Sequence, residues 1–117
     1  MLRLNHKKLD VWKVSVELVK EIYLITDQFP AEEKFGLVSQ LRRAAVSIPS
    51  NISEGSSRKT RPDRTRFFEI ARSSLVEIDT QIELCCQLGY LNANDINALE
   101  KLANRNFAML SNLIKPY

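Results

Sequence analysis

Val38-Ser39-Gln40-Leu41-Arg42-Arg43-Ala44-Ala45-Val46-Ser47-Ile48-Pro49-Ser50-Asn51-Ile52 is a helix written in side-chain spacing. Val38, Leu41, Ala45, Ile48 and Ile52 step 3-4-3-4, which lines apolar groups along one side of an α-helix. Beside them runs a polar row, Gln40, Ala44, Ser47, Asn51, Glu54 and Arg58, at 4-3-4-3-4. The helix is predicted over about 31–57, with Glu32 and Glu33 in its first turn, where the helix dipole favours negative charge, and Gly55 at its far end. Pro49 falls inside the pattern. It removes one backbone donor and crowds the carbonyl of Ala45, so a kink is expected because the apolar register continues through it; a break is the alternative.

Three further segments read the same way. Over about 9–28, Leu9, Trp12, Val16, Val19, Tyr23 and Thr26 form one row, and Val11, Leu18, Ile22, Ile25 and Phe29 a second, giving a wide face that ends at Pro30. Over about 62–88 the seam is Arg64, Phe67, Ala71, Ser74, Ile78, Gln81, Cys85 and Leu88, widened by Phe68, Leu75 and Ile82. Pro62 suits the first turn of that helix and Gly89 its end. Over about 93–114, Ile96, Leu99, Ala103, Asn106, Leu110 and Leu113 repeat the spacing, with Asn92 or Asn94 as the cap. No strand-like alternation competes. Short connections make consecutive helices antiparallel neighbours, so the predicted fold class is all-α, an up-down four-helix bundle in one domain.

The 117 residues, 44% hydrophobic and 26% charged, suit one globular unit with a real core. The beginning, Met1-Leu2-Arg3-Leu4-Asn5-His6-Lys7-Lys8, holds no apolar stretch of signal-peptide length, and no run reaches the roughly 18 apolar residues of a membrane span. A cytoplasmic protein with no membrane partner is therefore expected. Cys85 and Cys86 are adjacent, point roughly 100° apart on a helix, and read as reduced thiols.

The formal net charge of +3 matters less than its placement. In an up-down bundle one end collects Arg3, Lys7, Lys8, Lys13, Arg58, Lys59, Arg61, Arg64, Arg66, Arg72, Arg105 and Lys115, against Asp10, Glu54, Asp63 and Glu69. The other end is net acidic. A concentrated basic end attracts polyanions through counterion release. The candidate nucleic-acid-binding residues are Lys7, Lys8, Lys13, Arg58, Lys59, Arg61, Arg64 and Arg66. The competing reading is a solvated charged loop. With no aromatic platform interleaved among the bases, phosphate contact is expected over base stacking.

The helix-two row supports two readings, an internal polar network fixing register or a surface between subunits. Gln40, Arg42, Arg43, Ser47, Asn51, Glu54 and Glu77 are its candidates, with Arg42 or Arg43 level with Glu77. Enzyme signals are missing from the sequence. It has a single histidine, His6, and no Gly-rich phosphate loop, metal-ligand cluster or Glu-x-x-His pair. No cofactor is expected.

A set of local motifs runs along nearly the whole chain: Leu9-Asp10-Val11-Trp12-Lys13, Ile22-Tyr23, Phe29-Pro30, Phe35-Gly36-Leu37, the block from Gln40 to Ile52, Glu54-Gly55, Ile70-Ala71-Arg72 and Leu88-Gly89-Tyr90-Leu91. These resemble the bacterial 23S rRNA intervening-sequence proteins, also labelled the S23 ribosomal protein family, which are similar to the accessory variability proteins of diversity-generating retroelements. Ser53 stands where the family usually has Ala, and Ser73 where it has Gly. The resemblance implies an antiparallel four-helix bundle, a homo-oligomeric ring with a pentamer favoured, and no catalysis. It also implies RNA or DNA as a partner, alongside a reverse-transcriptase-like protein. The alternative function is a structural or protein-interaction scaffold without nucleic-acid binding.

Overall fold

The computed structural model describes residues 1–116, which form four α-helices and, among the described residues, no strand. The helices are α1 (Asp10–Thr26), α2 (Leu37–Ser56), α3 (Arg61–Gln87) and α4 (Asn97–Ile114). A 3-10 turn at Asn5–Lys8 leads into α1, and another at Ala31–Glu33 lies between α1 and α2. Each helix packs on the next, α4 closes back on α1, and the diagonal pairs stay apart.

Side-chain bonds between helices fix their directions. Trp12 Nε1 donates to Ser53 Oγ at 3.1 Å, and Arg42 Nε donates to Thr26 Oγ1 at 3.0 Å, so the start of α1 lies by the end of α2 and the reverse. The order is likewise opposite along α2 and α3, where Gln40 meets Gln81 and Ser47 meets Ser74. It is opposite again along α3 and α4, where Arg61 reaches the Lys115 carbonyl and Arg72 reaches Ser111.

The core is the apolar spacing made physical. Leu18, Ile22, Leu41, Ala45, Ile48, Ile52, Ala71, Cys85 and Leu110 are fully buried. Each Leu or Ile contributes about 1.5–3 kcal/mol by leaving water. On α1 the second apolar row makes the core; in the first, Trp12, Val16 and Val19 are half-buried and Leu9 and Tyr23 exposed. On α3 the core takes Phe68, Leu75 and Ile82 as fully as the seam, while Leu88 faces outward.

The boundaries differ from expectation at two helix starts. The 31–36 stretch is a 3-10 turn followed by a tight turn, and α2 begins only at Leu37, whose amide donates to Glu33 Oε1 at 3.3 Å. Glu33 thus caps the helix from outside it. Before α4, the Asn92 side chain accepts from the amides of Asn94 and Asp95, forming a local turn, and the helix starts at Asn97. Pro49 does not break α2, which runs through it from Leu37 to Ser56. Gly89, at φ +82°, ends α3: Tyr90 N–H bonds the Cys85 carbonyl and Gly89 N–H that of Cys86.

Candidate nucleic-acid interface

The start of α1, the end of α2, the start of α3 and the end of α4 meet at one end of the bundle, and the sequence concentrates its bases there. The chain enters through the 3-10 turn, held down by rings. His6 stacks edge-on against Trp12 with centroids 5.5 Å apart, and the Trp12 indole is fixed by its bond to Ser53 on α2. Lys8 and Lys13 project from this entry into solvent. Lys7 is half-buried and donates to the Leu2 carbonyl.

Across from it, α2 turns into α3 through Ser57–Thr60. The Thr60 hydroxyl accepts from the Asp63 amide at 3.3 Å, which starts α3, and Pro62 occupies the first turn. Arg64 Nη1 donates to the carbonyls of Arg58 and Lys59 at 3.1 and 3.0 Å. Its guanidinium therefore shapes the loop. Arg61 bonds the Lys115 carbonyl and ties α3 to the end of α4. Arg58 pairs with Glu54 at 3.2 Å and also lies over the Phe67 ring, 4.8 Å from its centroid. Arg66 lies 4.7 Å from the same centroid.

The eight predicted bases thus divide by employment. Lys8, Lys13, Lys59 and Arg66 are exposed and make no ion pair within the chain among the described residues. Lys7, Arg58, Arg61 and Arg64 are engaged with carbonyls or Glu54. The expectation of bases without aromatics does not hold, because Phe67 lies within cation–π range of two arginines. Arg58 is nine residues from Phe67 and reaches it only because the hairpin folds back, so no local pattern announces the contact.

These elements also enclose an open cavity of about 700 Å³. Leu4, Leu9, Phe68 and Leu113 give it apolar walls, and Ser53, Ser57, Thr65 and His6 give it polar ones.

The helix-two candidates lie elsewhere. Gln40 and Ser47 meet α3: Gln81 Nε2 donates to Gln40 Oε1 at 3.3 Å and to Glu77 Oε1 at 3.2 Å, and Ser47 and Ser74 share a hydroxyl bond of 2.5 Å. Asn51 bonds its own helix at the Ser47 carbonyl. Arg42 does not meet Glu77; it turns to α1, and Arg43 is exposed. The reason is the angle around α2: Arg42 faces the last turn of α1, whose C-terminal carbonyls attract a cation, and Glu77 lies on the other side.

Among the described residues no group of three or more His, Cys, Asp or Glu side chains is placed to hold a metal ion. No helix among them is long and apolar enough to cross a membrane. Residues 7–112 match the family profile of the 23S rRNA-intervening sequence protein. The chain belongs to that family. A solved structure from the S23 ribosomal protein family, a protein of unknown function from Bacteroides thetaiotaomicron VPI-5482, superposes with a TM-score of 0.80. It is 22% identical, and the match covers 91% of this chain and 99% of that one. At that identity the likeness speaks for the fold. No curated protein matches the chain. The family match and the fold do not name a ligand, so the functional reading rests on the end of the bundle just described.

Proposed function

We propose that this member of the 23S rRNA-intervening sequence protein family is a non-catalytic accessory protein that binds RNA or DNA through the basic end of its bundle. The observation that carries the reading is the group of Lys8, Lys13, Lys59 and Arg66, exposed at one end and without ion pairs among the described residues. Cations held for internal structure are engaged within the chain, as Arg42 is with Asp27 at 3.0 Å and Arg64 with the Arg58 and Lys59 carbonyls. Cations left facing water are available to phosphate.

Assembly into a homo-oligomeric ring, a pentamer by preference, extends the reading. It is supported by apolar side chains left facing outward on two helices, where Val46 on α2 is 43% and Ile70 on α3 is 42% exposed. A ring brings several copies of a weak phosphate site onto one rim, which raises avidity without new contacts.

Light scattering coupled to sizing, with absorbance at two wavelengths, reports mass and bound nucleic acid together. The test of binding replaces Lys8, Lys13 and Lys59 with Glu and follows duplex affinity against salt. The expected result is loss of binding with unchanged helicity. Milder Ala variants should lower the slope of log affinity on log salt by roughly 2–3. Equal affinity in the wild type and the triple Glu variant refutes the proposal.

A further inference from the structure

The cavity at the basic end has a chemistry that phosphate binding leaves unused. Its volume of about 700 Å³ falls in the range that admits small organic groups, roughly 300–1,000 Å³. Phosphate suits it poorly. Leu4, Leu9, Phe68 and Leu113 form much of its wall; Glu54, Arg61 and Arg64 also border it, Glu54 paired with Arg58, Arg61 bonded to the Lys115 carbonyl and Arg64 to the carbonyls of Arg58 and Lys59. The charged groups at its border are thus engaged within the chain, and burying a phosphate against the apolar wall would cost its hydration, while the exposed Lys8 and Lys59 of this end hold an anion in water outside. The combination of an apolar interior, a few hydroxyls and an imidazole, and a cationic surround matches one nucleotide whose base goes in and whose phosphates stay out.

We propose that the cavity takes a single unpaired base of the bound strand, at an overhang or a single-stranded stretch. The inference rests on the nucleic-acid reading above and narrows it to strands with an unpaired nucleotide. Leu9 and Phe68 supply apolar contact to the ring. The hydroxyls of Ser57 and Thr65 supply hydrogen bonds to its edge. A base in a continuous duplex is stacked and paired and does not enter, so the protein prefers an unpaired end over a blunt one of equal charge.

The chain carries its own reporter. Trp12 is the only tryptophan. It bonds Ser53 and stacks on His6, and both of those residues border the cavity. The experiment titrates the full chain with a blunt RNA duplex and with the same duplex carrying a one-nucleotide overhang, following Trp12 fluorescence and affinity at one salt concentration. The expected result is about tenfold tighter binding of the overhang, with a change in Trp12 emission that the blunt duplex does not produce. Thr65→Trp, which fills the cavity, is expected to remove the preference and leave blunt-duplex affinity unchanged. Because that variant adds a tryptophan and crowds the fold, Leu4→Phe at the exposed entry is the second filling variant, read by Trp12 emission. Equal binding of the two duplexes by the wild-type chain, with no Trp12 response, overturns the base pocket and leaves the phosphate reading standing. Binding of neither duplex overturns both.

Discussion

Arg42 on α2 caps the end of α1 by donating to Thr26 Oγ1 at 3.0 Å. Its guanidinium also reaches the Tyr23 carbonyl at 3.3 Å and Asp27 Oδ1 at 3.0 Å, and lies over the Tyr23 ring at 4.4 Å. A planar fork serves these acceptors together, and the end of a helix is where a cation is favoured. Arg42→Ala is expected to lower stability by about 1–3 kcal/mol, because charged hydrogen bonds are lost and the Thr26 hydroxyl loses its donor. Arg42→Lys should recover less than half of that, since an ammonium cannot span the same acceptors. Urea unfolding measures both, with Arg43→Ala next door as the control, expected within about 0.5 kcal/mol of wild type. An Arg42→Ala loss no larger than the control's contradicts the capping role.

Gly55 makes the α2–α3 hairpin possible near the basic end. A Cβ placed there would lie 2.7 Å from Phe68 Cε1 and 3.1 Å from the Arg64 carbonyl oxygen. The ring has room to turn only within a packed core, and the carbonyl belongs to the backbone of α3. Gly55→Ala is therefore expected to cost about 1–3 kcal/mol from overpacking, more than the roughly 1 kcal/mol that Ala gains over Gly in a helix. Thermal unfolding of this variant alone and with Phe68→Leu checks the cause. The double variant should regain part of the loss, and strict additivity would place the strain elsewhere.

The four helices were legible because apolar spacing is local and each stripe names its own face. The basic end was legible as a sum of charges, given the topology. Neither route reaches contacts made by folding back. Gly55 read as a helix end because Gly commonly ends helices; its actual role, a close approach to Phe68, depends on a residue thirteen positions away. Arg42 read as level with Glu77 because axial height alone was counted, and the angle around α2 that turns it to α1 was not. The α4 start was placed early because Asn92 is a good cap; its side chain instead closes a short turn of its own. The cavity was invisible, being bounded by four separate pieces of chain.

Tyr90 and Glu33 form a latch at the acidic end, with the phenol donating to Glu33 Oε2 at 2.9 Å and its ring 5.4 Å from that of Phe29. The bond to Glu33, then burial, raise the Tyr90 pKa above its ordinary value. The folded chain therefore holds this proton to higher pH than the unfolded chain. The stabilisation is complete below the unfolded value of about 10 and is lost as pH rises through the folded one. Tyr90→Phe should be less stable than wild type near pH 8, and the gap should shrink near pH 11. Urea unfolding of the pair at both pH values makes other titrating groups cancel. A gap that widens with pH would reverse the sign and exclude the latch.

Asn106 is fully buried on α4, and its Nδ2 donates to the Val11 carbonyl at 3.0 Å. Its Oδ1 is also buried and has no hydrogen-bond partner within the chain among the described residues. An orphaned acceptor costs about 1–3 kcal/mol, whereas a neutral bond contributes about 1 kcal/mol net. The Val11 carbonyl lies inside α1, where the helix pattern gives it the Ser15 amide as a second donor, so it is not orphaned when Asn106 is removed. Asn106→Leu, with the same number and branching of side-chain heavy atoms, is therefore expected to match or exceed wild-type stability. Asn106→Ala leaves a void and should fall below it by about 1–3 kcal/mol. The counterpart of the gain is specificity: a lone buried amide can fix helix register at a cost in stability, and the Leu variant tests that role through its oligomer mass and amide-exchange pattern. Should Asn106→Leu prove clearly less stable than wild type, the amide bond to Val11 outweighs the orphaned oxygen and Asn106 is a net stabiliser.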